Sequence, residues 1–573
     1  MATLLPAEIS GPWALATNRK PTMQTPTLEE IRDFKGKYPK QLWHLAGSEM
    51  WERFCFYGMR GMLVVFMVSE LGLTDKVANL QYGAIQAFVY AFTFIGGLFA
   101  DKILGFQKSL FWGAAMMILG GLVIAFSPHD LFYIGICFSI IGTGFFKPNI
   151  STMVGQLYHD GDARRDAGFS LFYSGINAGA LLGGSLMIYV GKHHSWRLAF
   201  LLVSIVMTIS LLNFWFYRKQ MGPIGLSPLR ETNTPKQQRI KEVAVYLGTL
   251  LSIPLILMLV TNTDYTDLFM YVIGPVALAY LFWIMRKFTG PDGKEGNSLW
   301  LTIAAGMVLL SGATLVLETL GHGLGSVVDR SVWIATAAAL VAAMITGNGV
   351  QKRLHAALIF ILFSIVFWAL YEQAGGSLSI FALNHLHPVL FGFIPMDPNV
   401  LNNGANALFI ILFAPLVGLL WLWLSKRKVE PNSVVKFGLG FLLLGIAFYV
   451  FYSTVFFATT DGLTSMNVFT LAYLVITFGE LCLSPIGLSL MTKLSPQSIQ
   501  GLMMGMWFLA SAYGQYVAGL LGASISVDKD TPNFEKLIAY TDGYREFALY
   551  GVVLGVALVA ISPLVRKLMR GVH

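Results

Sequence analysis

The stretch Glu49-Met50-Trp51-Glu52-Arg53-Phe54-Cys55-Phe56-Tyr57-Gly58-Met59-Arg60 puts two carboxylates and two guanidiniums at the head of an apolar run that continues to Val68. As a helix turning about 100° per residue, it carries Glu49, Glu52, Arg53, Phe56, Tyr57 and Arg60 on one arc of roughly 140°, about 16 Å from end to end. The remaining faces are apolar. Anchoring a helix in lipid requires no such stripe, so it marks a place where charge faces something other than lipid.

The chain around it has 573 residues, 55% hydrophobic and only 12% charged, with a positive mean hydropathy. Soluble domains carry about 25% charged residues, and no single soluble core grows this large and this apolar. The composition therefore specifies an all-α protein that crosses a membrane many times. Its formal charge of +8 comes from basic residues in alternate connections, at Lys35, Lys37 and Lys40, Lys102 and Lys108, Arg164 and Arg165, Arg218 and Lys219, Lys426 to Lys428, and Arg566, Lys567 and Arg570. That is the positive-inside pattern. It predicts both termini in the cytoplasm and excludes a nucleic-acid face.

The three cysteines, Cys55, Cys137 and Cys482, lie in apolar runs without paired or metal-ligand spacing and read as packing residues. No histidine falls mid-span, which argues against a haem or an internal histidine relay, and no cofactor or metal site is expected. The first forty residues lack the apolar core of a signal peptide and read as a cytoplasmic tail.

Apolar stretches long enough to span about 30 Å of hydrocarbon fall at residues 43–70, 80–101, 109–127, 131–152, 166–191 and 197–217. Four more follow at 242–261, 267–286, 299–320 and 332–348, and six close the chain at 353–383, 401–425, 435–457, 467–492, 499–525 and 544–565. The count is sixteen, with fourteen as the alternative because 332–348 is short. The predicted organisation is a tail (1–42), a six-helix bundle (43–217), a linker with accessory helices (218–352), a second six-helix bundle (353–566) and a short tail (567–573). Two six-helix halves are the layout of a secondary transporter, with the solute site between them near mid-membrane.

Three further charges sit inside spans: Lys147, followed by Pro148; Glu480, with Pro485 one turn on; and Glu372, after Trp368 and Tyr371. Pro148 cannot donate to the carbonyl of Gly144, so the helix is expected to open there. A charge at the bilayer centre costs at least about 2.5 kcal/mol, so each must meet a partner or a wet cavity. Cations on one half and anions on the other suit a zwitterion, Arg60 and Lys147 reading a carboxylate and Glu480 an ammonium. Glu49 and Glu52, beside Arg53, can take and release a proton.

Glu49-x-x-Glu52-Arg53-Phe54 with Phe56-Tyr57-Gly58, then Phe146-Lys147-Pro148-Asn149, then Arg164-Arg165-Asp166-Ala167-Gly168-Phe169-Ser170 with Tyr173 and Asn177, together resemble the proton-dependent oligopeptide transporter (POT) family of the major facilitator superfamily. Phe367-Trp368-Ala369-x-x-Glu372-Gln373, Glu480-x-x-x-Ser484-Pro485 and Trp507 match as well, and Gly97-x-x-x-Asp101-Lys102-x-x-Gly105 resembles the superfamily loop. The resemblance implies the major facilitator fold, with four accessory helices here or the two usual in bacterial members. It implies a symporter in the cytoplasmic (inner) membrane, working as a monomer on di- and tripeptides and protons. By motif, Glu49, Glu52, Arg53, Lys147 and Glu372 would serve proton coupling. Tyr57, Arg60, Tyr90, Lys147, Tyr173 and Asn177 would line one side of the substrate site, and Trp368, Asn406, Glu480, Ser484 and Trp507 the other. Phe56 stands where the family often has tyrosine, Glu372 where some members have aspartate, and Ala407 where a proline is usual.

Two other readings compete. A related carrier of another zwitterion or anion (an amino acid, nitrate, a drug) is disfavoured by Glu480, which repels an anion. A non-transporting peptide sensor keeps the same residues and differs only in not accumulating solute. An enzyme would need a nucleophile constellation or metal ligands, and the chain carries neither pattern.

Overall fold

The computed structural model describes residues 25–159, 162, 164–288 and 298–571; within the helices, the side chains of residues 484–486, 488, 489 and 492 lie outside the described set. Among the described residues the only strands are a two-stranded hairpin, Val389–Leu390 against Ile394–Pro395. Everything else regular is helical.

The N-terminal half consists of α1 (Lys40–Ser69), α2 (Asp75–Phe99), α3 (Phe106–Phe126), α4 (Phe132–Gln156), α5 (Arg164–His193) and α6 (Trp196–Tyr217). Four helices follow: α7 (Pro235–Thr261), α8 (Thr263–Met285), α9 (Ser298–Thr319) and α10 (Ser326–Thr346). Helix α7 breaks at Ser252 because Pro254 cannot donate to the carbonyl of Leu250. The second half is α11 (Gly349–His385), α12 (Pro398–Lys426), α13 (Ser433–Ser453), α14 (Met466–Leu494), α15 (Gln500–Ser524) and α16 (Asn533–Met569). Within α11 the α-helix ends at Tyr371, a 3-10 turn covers Glu372–Gly375, and helix resumes at Ser377.

Among the described residues, thirteen helical segments are long and apolar enough to cross a membrane. Helices α1, α4 and α15 are as long, but their charged, polar and glycine residues lower their hydropathy, and with them the number is sixteen. Three helices start well ahead of their apolar windows, α7 at Pro235, within the polar loop, and two more. Helix α10 starts at Ser326 because Asp329 and Arg330 stand in its first turns, outside the apolar stretch. Helix α16 starts at Asn533, and its polar first turns are held by the inward rings of Tyr540 and Tyr544, both fully buried.

Lipid offers no hydrophobic drive for helices to associate, so close packing through small residues has to supply it. A Cβ on Gly183 of α5 would lie 2.0 Å from the carbonyl oxygen of Phe54 on α1, and one on Gly83 of α2 would lie 2.7 Å from Gly519 Cα on α15. Only glycine permits these crossings. The carbonyl that Pro148 releases, on Gly144, faces α2: a Cβ on Gly96 would lie 2.2 Å from it. Helix α4 therefore runs unbroken through Pro148 instead of opening, and the carbonyl left without that donor is covered by a neighbouring backbone.

The halves meet along α2 with α15 and along α5 with α12. The tight contacts lie at the end away from the chain termini. There Lys192 Nζ reaches Asn399 Oδ1 (2.9 Å) and Asp397 Oδ2 (2.8 Å), and His193 Nε2 lies 2.9 Å from the same carboxylate oxygen. Asn79 Nδ2 donates to Ser526 Oγ at 3.2 Å. Burial pushes the Asp397 carboxyl up, but hydrogen bonds from Lys192 and His193 more than offset it and hold the group below the usual carboxylate range. Toward the other end α5 leaves Tyr173 42% exposed, so the space between the halves opens on the side of the termini.

Candidate functional site

A cavity of about 370 Å³ lies between the halves. From the N-terminal half it is lined by Tyr57, Arg60, Tyr90, Lys147, Tyr173 and Asn177, and from the other half by Trp368, Glu372, Asn406, Glu480 and Trp507. The sequence singled out all of these. The side chain of Ser484, the remaining expected contact, lies outside the described residues.

The α1 stripe divides in two. Its first turns form a buried cluster behind the cavity wall, with Arg53 Nε 2.8 Å from Glu49 Oε1 and 2.7 Å from Glu52 Oε2; all three are at most 2% exposed. One guanidinium therefore serves two carboxylates. Glu49 Oε2 and Arg53 Nη2 have no hydrogen-bond partner among the described residues, so the cluster is not saturated.

Lys147 reaches the cavity beside this cluster. Among the described residues it has no ion pair within 4 Å. Its ammonium lies 4.2 Å from the Tyr90 ring centroid and 5.2 Å from that of Phe56, whose ring also lies 5.3 Å from the Arg53 guanidinium. Phe56 thus packs against both cations, and ring faces attract cations by roughly 0.5–2 kcal/mol. Glu49 and Glu52 are within Coulombic reach of Lys147.

Arg60, one turn on from Tyr57, departs from expectation. It is not free to read a carboxylate: its Nη2 is bound to Glu372 of the opposite half and its Nε donates to Tyr82 Oη at 2.9 Å. The break in α11 brings this about, because the 3-10 turn begins at Glu372 and aims that carboxylate across the gap. The free cation on the cavity wall is Lys147 alone among the described residues.

Glu480 carries no cation among the described residues. Its Oε2 accepts from Tyr371 Oη (2.6 Å) and Asn406 Nδ2 (3.1 Å), and Asn406 is steadied by Thr477 Oγ1 at 3.1 Å. Neutral donors hold the carboxylate in place and leave its charge uncompensated, which suits a ligand ammonium. Trp368 Nε1, buried on the same wall, has no partner among the described residues and offers one further donor.

Four polar cavity residues were not among those expected, Tyr371, Asn402, Asn403 and Tyr473; nor was Tyr82, which accepts from Arg60. Tyr473 Oη donates to Asn402 Oδ1 at 2.6 Å, and Asn403 bonds its own helix at Asn399 O. A signal for two of them stands in the sequence, where Asn402, Asn403 and Asn406 crowd one face of an otherwise apolar helix.

Comparison with known proteins agrees with this arrangement. The family model described as PTR2, the POT family, matches residues 107–232 and 326–536. The chain is 33% identical over 513 residues to a peptide transporter of Yersinia enterocolitica subsp. palearctica, a match covering 87% of this chain and 90% of that relative. It is 30% identical to a di-/tripeptide transporter of Lactococcus lactis subsp. cremoris, over 93% of this chain and 97% of the other. A crystal structure of a peptide transporter, POT, in complex with sulfate superposes with a TM-score of 0.73 and 28% identity, covering 95% of this chain and all of that one. With opposed charges of two six-helix halves around one cavity, and with family and fold matching over most of its length, the chain belongs to the POT family of membrane transporters.

Proposed function

We propose that the chain is a symporter of di- and tripeptides and protons that works by alternating access. The observation that carries this reading is the pairing of an unneutralised Lys147 with an unneutralised Glu480 on opposite walls of one cavity. The names of the relatives, peptide transporter and di-/tripeptide transporter, support the substrate class.

A peptide zwitterion satisfies both charges at once, its carboxylate at Lys147 and its ammonium at Glu480. It thereby bridges the halves. The proton enters through charge balance. Glu49, Glu52, Arg53 and Lys147 are neutral as a set when all are ionised. Bringing a peptide carboxylate to Lys147 adds a negative charge, and a proton on Glu49 or Glu52 restores the balance, so each favours the other. The Arg60 to Glu372 pair is a second point where a proton matters: protonating Glu372 removes the bridge between the halves and frees Arg60 for the peptide.

One chain carries both halves and both charged walls, so the proposed cycle needs no second copy and the unit of transport in this reading is a monomer. Clustered basic residues at the end bearing the termini support a cytoplasmic location for that end, in the cytoplasmic membrane. The test is uptake of a labelled dipeptide into proteoliposomes. Lys147→Ala abolishes accumulation driven by an inward proton gradient, while exchange of peptide for peptide remains measurable in at least one of Lys147→Ala and Glu49→Gln. Normal uphill uptake by both variants contradicts the coupling.

A further inference from the structure

A second cavity, of about 340 Å³, lies outside the transport path between α8, α9 and α10 of the insert and α11 and α15 of the core. We propose that it holds one acyl chain of an anionic phospholipid, with the lipid phosphate at Lys352 and Arg286 and its glycerol region at His355. The walls are apolar apart from His355 and Tyr513, and the Tyr513 hydroxyl is already bonded to the Met270 carbonyl. Water has too few polar partners to settle in such a space, whereas a hydrocarbon chain fills it.

His355 marks one end. It is 5% exposed, its Nδ1 donates to the Gln351 carbonyl at 2.8 Å, and its Nε2 has no partner among the described residues. From there the α11 wall runs to Ile365, about 15 Å at 1.5 Å per residue. Lys352, His355, Ile359 and Leu362 recur at three- and four-residue spacing, so the lysine continues the cavity face of α11 one turn toward the helix start. On α8, Leu278, Phe282 and Arg286 do the same toward its end. Two basic side chains therefore stand at the mouth beyond the histidine, and neither Lys352 nor Arg286 has an ion pair within 4 Å among the described residues.

The way in is sideways. Gln351 Nε2 donates to Met285 O (3.0 Å) and Asn348 Nδ2 to Phe288 O (2.7 Å), tying α8 to α11 across the end of the cavity. Val341 and Leu362, 49% and 55% exposed, flank an opening between α10 and α11 toward the bilayer. An acyl chain of a membrane lipid can enter from that side.

The experiment is native mass spectrometry of the delipidated full-length chain in detergent, titrated with dioleoyl-phosphatidylglycerol or with dioleoyl-phosphatidylcholine. The parent retains one phosphatidylglycerol in preference to phosphatidylcholine. The double variant Lys352→Gln with Arg286→Gln weakens phosphatidylglycerol binding roughly thirtyfold, as two basic groups at an anionic lipid imply, and removes the preference. His355→Phe, which keeps the ring shape, weakens it about fivefold. Ala510→Phe and, independently, Val308→Phe fill the cavity and abolish the retained lipid. Equal binding of the two lipids by the parent overturns the proposal, as does a preference that survives both filling variants. A dimer that either filling variant converts to monomer overturns it too, by making the cavity an interface between copies.

Discussion

Replacing Glu480 by Gln tests the ammonium site at one atom's cost. The amide oxygen still accepts from Tyr371 Oη, which lies 2.6 Å from the carboxylate now, so the side chain keeps its place while losing its charge. A hydrogen bond to a charged partner contributes about 1.5–3 kcal/mol, and a unit-charge pair at 4 Å near a protein surface is worth up to about 4 kcal/mol. The expected loss of affinity for dialanine is therefore roughly 10- to 150-fold. Competition against a labelled dipeptide in counterflow measures it, run with dialanine and with N-acetyl-dialanine. In the parent, acetylation costs about the same factor as the substitution. In Glu480→Gln it costs little more, because the ammonium has lost its partner already. If acetylation weakens binding equally in parent and variant, Glu480 does not read the amino group.

Three further outcomes follow from the geometry. Glu372→Gln leaves the Arg60 guanidinium without its counter-charge; breaking a buried pair from one side costs about 3–5 kcal/mol, and double electron-electron resonance between spin labels on the ends away from the termini should report a wider separation of the halves. Acid releases the same end by another route. Asp397 has a depressed pKa in the folded protein, so its stabilising contribution is present above the ordinary aspartate value near 3.9 and is lost as the pH falls through the lower folded value; labels placed on α5 and α12 outside this ion pair should separate only as the pH falls below that ordinary value, and Asp397→Asn should remove that acid step. Gly183→Ala forces a Cβ against the Phe54 carbonyl, a backbone atom that cannot turn aside, and should destabilise the α1 to α5 crossing by about 1–3 kcal/mol in a thermal or urea melt.

Helices were legible because each carries its own signal. An apolar run long enough to cross lipid needs no partner to be recognised, and the buried stripe of α1 was written in its charges. The helix-by-helix signal also located Lys147, Glu372 and Glu480, since a charge within a span is conspicuous wherever it points. What could not be read was the pairing across helices. Arg60 meets Glu372 only because α11 breaks into a 3-10 turn at that residue, and nothing in the local sequence fixes the direction a broken helix aims its carboxylate. Tyr82 and Tyr371 were missed for a related reason: a phenol in an apolar helix looks like packing until its hydroxyl is seen on a charge. The insert's cavity was invisible for the same cause, since each of its walls is ordinary lipid-facing sequence taken alone.

The central claim is that a peptide and a proton enter together because each balances the charge the other brings. The most direct measurement loads proteoliposomes with a pH dye, imposes no pH difference, clamps the membrane potential at zero and adds dipeptide outside. The account predicts that the inward peptide gradient alone acidifies the lumen in the parent protein and does not in Lys147→Ala. Peptide entry into parent vesicles with no movement of protons would contradict it.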